Sequence, residues 1–251
     1  MSTPGRKDRI ATSFSLAHGY DAAADVQWMV AQRLAEKIEA TRIGRAPRIL
    51  EIGCGTGFLS TRLKEAFPQG ELTLTDIAPS MLDRARQKVG DGATYRVMDG
   101  EHPQGIEGGF DLISSSLAFQ WFVDLKGGLE RLAGLLAPGG RIMFATLGEK
   151  TFIEWRDAHA ALNLECGTPT YPAAADMPWP AGFDCRCDED LLPQPYGDGH
   201  DFVRSLKALG AGEPAPGHRP LSAGAFRRLL HSLDGGFTAT YHVLYGEVKR
   251  P

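Results

Sequence analysis

Ile49-Leu50-Glu51-Ile52-Gly53-Cys54-Gly55-Thr56-Gly57-Phe58 is the stretch whose reading decides the fold. A short apolar run closed by glycines reads as a buried parallel strand that turns directly into a helix. Gly53, Gly55 and Gly57 let the backbone bend sharply and come close to a ligand with no Cβ in the way. The dinucleotide fingerprint needs its third glycine three positions after the second. Here that position is Phe58, and the third glycine comes one residue earlier. The loop therefore lacks the pyrophosphate-binding spacing.

Outward from this loop, strands and helices alternate. A helix is expected over Ala22 to Ala40, with Val26, Met29, Val30, Leu34 and Ile38 on one stripe and Asp21 as its cap. Strands are expected at Arg48 to Ile52, Glu71 to Asp76, Ala93 to Met98, Phe110 to Ser115 and Arg141 to Thr146. Helices are expected between them, at Phe58 to Phe67, Ser80 to Val89 and Leu125 to Leu136, the last stopped by Pro138-Gly139-Gly140. Repeated βα units imply a doubly wound α/β fold with a mostly parallel, seven-stranded sheet. Beyond Gly148 the pattern is less regular: helices near Phe152 to Asn163, Asp201 to Leu209 and Ser222 to Leu233, a proline-rich stretch from Pro169 to Pro195 with a short strand near its end, and a last strand from Thr238 to Val248. The expected organisation is an N-terminal arm over residues 1–21, a nucleotide-binding half over 22–147, and a helical cap with the last strands over 148–251, in one domain.

Ligands of an open parallel sheet bind outside the carboxyl ends of its strands. Four such ends carry suitable groups. Glu51 with the Gly53, Cys54, Gly55, Gly57 loop closes the first. Asp76 closes the second, where a carboxylate can accept both hydroxyls of a ribose. Asp99 closes the third, where it can accept from an adenine amino group while Gly100 leaves room for the ring. Ser114, Ser115 and Ser116 close the fourth, beside the reacting group. Each alone reads as an ordinary turn residue, but one per strand end, in order, points to a nucleoside ligand. Ile77 and Met81 are candidates to sandwich its base, although packing at a helix start explains them equally well.

Bulk composition excludes several classes. The 251 residues carry 43% hydrophobic and 23% charged residues and a net charge of −4, so wholesale attraction to nucleic acid or anionic lipid is not expected. No apolar run is long enough to span a membrane, and the charged N-terminus lacks the apolar core of a secretory signal. Four cysteines make no disulfide framework, Cys185-x-Cys187 has the wrong spacing for a zinc knuckle, and no metal is expected. A cytoplasmic chain follows.

These residues resemble a known family. The glycine loop, Asp76 and Pro138-Gly139-Gly140 are similar to class I S-adenosylmethionine (SAM) methyltransferases in general. Tyr20-Asp21 with Val26-Gln27, Leu117-Ala118-Phe119-Gln120-Trp121, Thr151-Phe152-Ile153-Glu154-Trp155 and Ser205-Leu206-Lys207-Ala208-Leu209-Gly210-Ala211 are more specific. Together they resemble the malonyl-[acyl-carrier protein] O-methyltransferases of biotin synthesis, over residues 13 to 248. The resemblance implies SAM as cofactor, an acidic carrier protein as partner, and a malonyl carboxylate as methyl acceptor. Such a carboxylate is already ionised and needs no general base. Tyr20 would then face the sulfonium as the catalytic ring of an N-terminal lid, a sound cation–π contact. Gln120, Trp121, Arg141, Arg156 and Arg204 become candidates for binding the acceptor. His18 and His102 are possible bases, although a lone loop histidine more often faces only solvent. Two alternatives stay open: a small-molecule methyltransferase acting on trans-aconitate or a quinone precursor, and a SAM-fold assembly factor that transfers no methyl group. The intact loop and its acids count against the second.

Overall fold

The apolar run at 49–52 pairs as expected. In the computed structural model, which describes residues 5–17 and 19–251, the strand β1 (Arg48–Ile52) is buried at every position but the first. It lies between β2 (Glu71–Asp76) and β4 (Phe110–Ser116), parallel to both, and β3 (Ala93–Val97) continues the parallel run beyond β2. On the other side β5 (Leu136–Leu147) pairs parallel with β4. With β6 (Asp184–Tyr196) and β7 (Phe237–Lys249) the sheet has seven strands in the order β3-β2-β1-β4-β5-β7-β6. The Arg250 N–H donates to the Gly140 carbonyl and the Gly148 N–H to the His242 carbonyl, so β7 runs against β5.

Helices α3 (Phe58–Ala66), α4 (Pro79–Val89) and α5 (Leu125–Ala133) fill the crossovers. Pro79 starts α4 at its first turn, where its missing N–H costs nothing, and Asp124 caps α5 by accepting the Gly127 N–H at 2.9 Å. Three expectations are corrected. The helix expected from Ala22 starts at Asp25, as α2, because residues 21–23 take a 3₁₀ turn first; within the expected arm Arg6–Ser15 forms the helix α1. The Pro138-Gly139-Gly140 segment does not end a helix. It bulges within β5, so that Leu136 pairs with Phe110 but Arg141 already with Leu112. Finally, the strand at the end of the proline-rich stretch is not short: β6 has 13 residues. It is an edge strand, which is where a sheet tolerates Pro193 and Pro195 without losing ladder bonds.

The chain divides into two compact units. The larger comprises 27–146, 174–189 and 244–251. Its core is continuous from Leu50 and Ile52 through Ile113, Phe119, Leu132, Ile142 and Phe144 to Leu244. The smaller comprises 1–26, 147–173 and 190–243, and holds α6 (Ile153–Ala161), α7 (Gly199–Ala208) and α8 (Ala223–His231). Its core is aromatic: Phe202, fully buried, has Phe152, Trp155, Tyr196 and Phe237 within 5.0–5.3 Å between ring centroids.

Candidate active site

The loop between β1 and α3 is built from three glycines in the left-handed region, with φ of +66° at Gly53, +53° at Gly55 and +92° at Gly57. A Cβ there costs about 1–2 kcal/mol in backbone strain alone. The three have different surroundings. A Cβ on Gly53 would lie 2.4 Å from that of Ala118, and one on Gly57 would lie 3.3 Å from the Ala85 backbone on α4. A Cβ on Gly55 would meet nothing within 4 Å. Gly53 and Gly57 are thus small so that the protein can pack, and Gly55 leaves open space above the loop.

Two buried carboxylates accompany this loop. Asp76 closes β2; one of its oxygens accepts the Gly55 N–H at 2.9 Å and the other the Ala78 N–H at 2.8 Å, which ties the acid to the loop. Each oxygen keeps a second lone pair for a ligand. Burial pushes its pKa up to about 6, against the lowering pull of the Ala78, Gly55 and Ile77 N–H groups. Glu51, 1% exposed, is pushed up to about 8, chiefly by burial; the Ser60 hydroxyl opposes the shift and the Asp76 charge adds to it. Its Oε2 has no hydrogen-bond partner among the described residues. An open cradle accompanied by two desolvated acids, one with an unsatisfied oxygen, suits a ligand that brings O–H and N–H donors and positive charge. Cys54 has its thiol pushed well above the ordinary range by burial, followed by the charges of these two acids. It is a small buried loop residue and no nucleophile.

The remaining strand ends are more mixed. The hydroxyls of Ser114 and Ser115 at the end of β4 are buried without a partner among the described residues. Asp99 is half-buried and its carboxylate accepts the Glu101 N–H at 3.0 Å. Gly100 is required by packing, since its Cβ would stand 2.1 Å from Ile52 Cγ2. Met81 is 1% exposed and belongs to the core, whereas Ile77 beside it is half-buried and keeps surface to offer. Gln120 and Trp121 lie in a 3₁₀ turn after β4, both half-buried. The Gln120 amide donates to the Leu117 carbonyl at 2.7 Å, and its oxygen lies 3.5 Å from the Thr146 hydroxyl near the end of β5.

Sequence reasoning missed Glu101. Only 2% exposed, it accepts the Val123 and Asp124 N–H groups, both at 2.9 Å, and so anchors the segment that follows the Gln120-Trp121 turn. No local signal marks it, because its partners are 22 and 23 residues away. Lys88 was missed for the same reason: from α4 it donates to Thr56 Oγ1 at 3.1 Å and lies 4.1 Å from the Phe58 ring centroid.

The three candidate arginines each have partners within the protein. Arg141 pairs with Leu112, well before the Ser114–Ser116 end of β4, and donates to Glu247 at 2.8 Å. Arg156 donates to the Thr151 carbonyl at 3.2 Å and the Pro169 carbonyl at 2.7 Å, clamping the proline-rich stretch. Arg204 is 72% exposed and paired with Asp201 one helical turn away. Tyr20 is half-buried, its ring 6.5 Å from that of Phe14. His102 is 52% exposed, and His18 lies outside the described residues. Among the described residues no cluster of three or more metal-ligating side chains occurs, and no helix is long and apolar enough to cross a membrane.

Residues 50–142, which contain all four strand ends, match a methyltransferase domain family. A curated malonyl-[acyl-carrier protein] O-methyltransferase from Magnetococcus marinus is 44% identical, over 98% of this chain and 93% of its own length. The chain belongs to the malonyl-[acyl-carrier protein] O-methyltransferase family. It is also 44% identical, over 99% of its length, to the biotin biosynthesis bifunctional protein BioCD of Bordetella avium, of which it spans about half (54%). An Anoxybacillus flavithermus member of the malonyl-[acyl-carrier protein] O-methyltransferase family is 32% identical over 91% of this chain and 92% of its own. Solved structures agree on the fold. Haemonchus contortus phosphoethanolamine N-methyltransferase 2 superposes with a TM-score of 0.59 at 14% identity, over 99% of this chain and 61% of that one. A SAM-dependent methyltransferase from Mesorhizobium loti superposes with a TM-score of 0.52 at 18% identity, over 88% of this chain and 98% of that one.

Proposed function

We propose that this chain transfers the methyl group of SAM to the free carboxylate of a malonyl unit carried as a thioester on acyl carrier protein. The observation that carries the reading is the open cradle at Gly55 accompanied by the buried acids Glu51 and Asp76, in a chain 44% identical to a family member so named. SAM supplies an electrophilic methyl group on a positively charged sulfur. Asp76 accepts from the ribose hydroxyls with the lone pairs its backbone partners leave, and Glu51 receives the ammonium of the amino-acid end. Asp99 and Ile77 hold the base, and Ser115 and Gln120 border the reacting end. In the transfer one S–C bond breaks and one C–O bond forms, leaving a neutral thioether and a methyl ester. No proton moves, because the acceptor carboxylate is ionised at neutral pH. The protein's work is therefore orientation and exclusion of water.

Tyr20 keeps in this reading the role of the ring that meets the sulfonium. Tyr20→Ala should lower turnover far more than affinity for S-adenosylhomocysteine, which lacks that charge; equal losses would make Tyr20 a packing residue. The reading places the chain in the cytoplasm, in keeping with four free thiols. Purified protein with labelled SAM, offered malonyl-carrier protein, malonyl-CoA, malonate and trans-aconitate, tests the assignment. Malonyl thioesters should be methylated, the carrier-bound form fastest. Methylation of trans-aconitate alone would overturn it.

A further inference from the structure

Charge is segregated along this chain. Its net charge is −4, yet residues 199–231 carry five Lys and Arg against two Asp and Glu. That segment forms α7 and α8, and both helices are amphipathic in the same way. On α7, Phe202 is buried, as is Leu209 just past its end, while His200, Arg204 and Lys207 recur along the exposed side. On α8, Ala225, Leu229 and Leu230 are buried while Arg227, Arg228 and His231 are exposed. The two helices adjoin: a Cβ on Gly199, at the start of α7, would lie 3.0–3.2 Å from side-chain atoms of Leu230 and Leu233 at the end of α8.

The acids nearby are already engaged. Asp198 caps α7 by accepting the Asp201 N–H at 2.8 Å, Asp201 pairs with Arg204, and Asp234 lies 2.6 Å from His231. Among the described residues Lys207, Arg227 and Arg228 have no ion-pair partner. Neither helix has an exposed large hydrophobic side chain. The face therefore offers nothing to insert into a membrane and no ring on which a base could stack. What it offers is positive charge on a polar surface, the pattern that steers an acidic protein into brief, productive encounters.

We infer that the exposed face of α7 and α8, through Lys207, Arg227 and Arg228, is the docking surface for the acidic carrier protein. This rests on the malonyl-carrier reading above. The test compares the native protein with Lys207→Glu/Arg227→Glu/Arg228→Glu on malonyl-carrier protein and on malonyl-CoA, which has the same thioester and no protein. The variant should lose about tenfold or more in kcat/KM on the carrier-bound substrate, through KM, while its kcat/KM on malonyl-CoA stays within about twofold. The native rate on carrier protein should fall as salt rises, and the variant's should be nearly flat. Unchanged S-adenosylhomocysteine affinity certifies that the variant is folded. Full activity of that folded variant on carrier protein, or equal losses on both substrates, overturns the docking surface and leaves the activity standing. If the native chain methylates neither thioester, the functional reading fails first and the docking surface falls with it.

Discussion

The strand-end turns of the larger unit and the aromatic core of the smaller one are built by opposite rules. At Gly53 to Gly57 the conformation is local: three positive φ angles and an acid one strand away define the loop. In the smaller unit Phe152, Tyr196, Phe202 and Tyr241 come from segments up to about ninety residues apart and meet with no motif to announce it. Glu154 of α6 likewise reaches across the sequence to accept the Thr240 N–H at 2.9 Å. A binding turn has to repeat the same few backbone angles wherever its ligand is the same. A core has only to exclude water, which many side-chain sets achieve.

That contrast can be broken most forcefully at Gly55. Gly55→Phe should abolish S-adenosylhomocysteine binding in calorimetry, a loss of more than about a thousandfold, because the ring would fill the open space. Gly55→Ala, with little more than the ~1–2 kcal/mol of backbone strain, should still fold. Undiminished affinity in Gly55→Phe would remove the site. Next in size is Phe202→Ala, which should cost about 3–5 kcal/mol in chemical denaturation by opening a cavity among four rings. If its loss stays below about 1 kcal/mol, the aromatic cluster is not the core it looks to be. Asp76→Ala should weaken binding by about 1.5–3 kcal/mol, the worth of a charge-assisted hydrogen bond. The same variant also frees the Gly55 and Ala78 N–H groups, so any change in melting temperature measures how far the loop depends on the acid.

The smallest effect is a pH dependence. Glu51 titrates near 8 when folded against an ordinary value of 4.5, so the fold favours its protonated form. Its contribution to the stability of the ligand-free protein is fully present below about 4.5 and is lost as pH rises through about 8. A cationic ligand needs the ionised form. Affinity should therefore rise with pH up to about 8, by less than about tenfold per unit, with proton release on binding. Calorimetry in buffers of different ionisation enthalpy reads that release, and Glu51→Gln should abolish it. A flat native profile would mean that Glu51 does not meet the ligand's charge.

How far the site was legible follows from the same contrast. Glu51, Gly55 and Asp76 could be read because strand ends are marked by where apolar runs stop, and each lies at such a stop. Gly53, Gly57 and Gly100 could be noticed but not explained, since Ala118, Ala85 and Ile52 are what make them small. The partners of the arginines could not be read for a related reason: a guanidinium reaches any carboxylate or carbonyl nearby, and Glu247 is 106 residues from Arg141. The β6 strand was underestimated because prolines signal loops, and only its place at the sheet edge makes them harmless.

The sequence by itself determined the parallel βα order, the glycine turn, the acids at successive strand ends and, through motifs spread along its length, the family. These depend on backbone angles and on periods of a few residues, which a linear string preserves. Tertiary structure alone decided that Gly55 faces open space while its neighbours face protein, that burial raises the Glu51 pKa, that Glu101 anchors the turn after β4, and that two cationic helices adjoin. Each of these is a matter of desolvation or of contact between distant segments, and neither exists until the chain has folded.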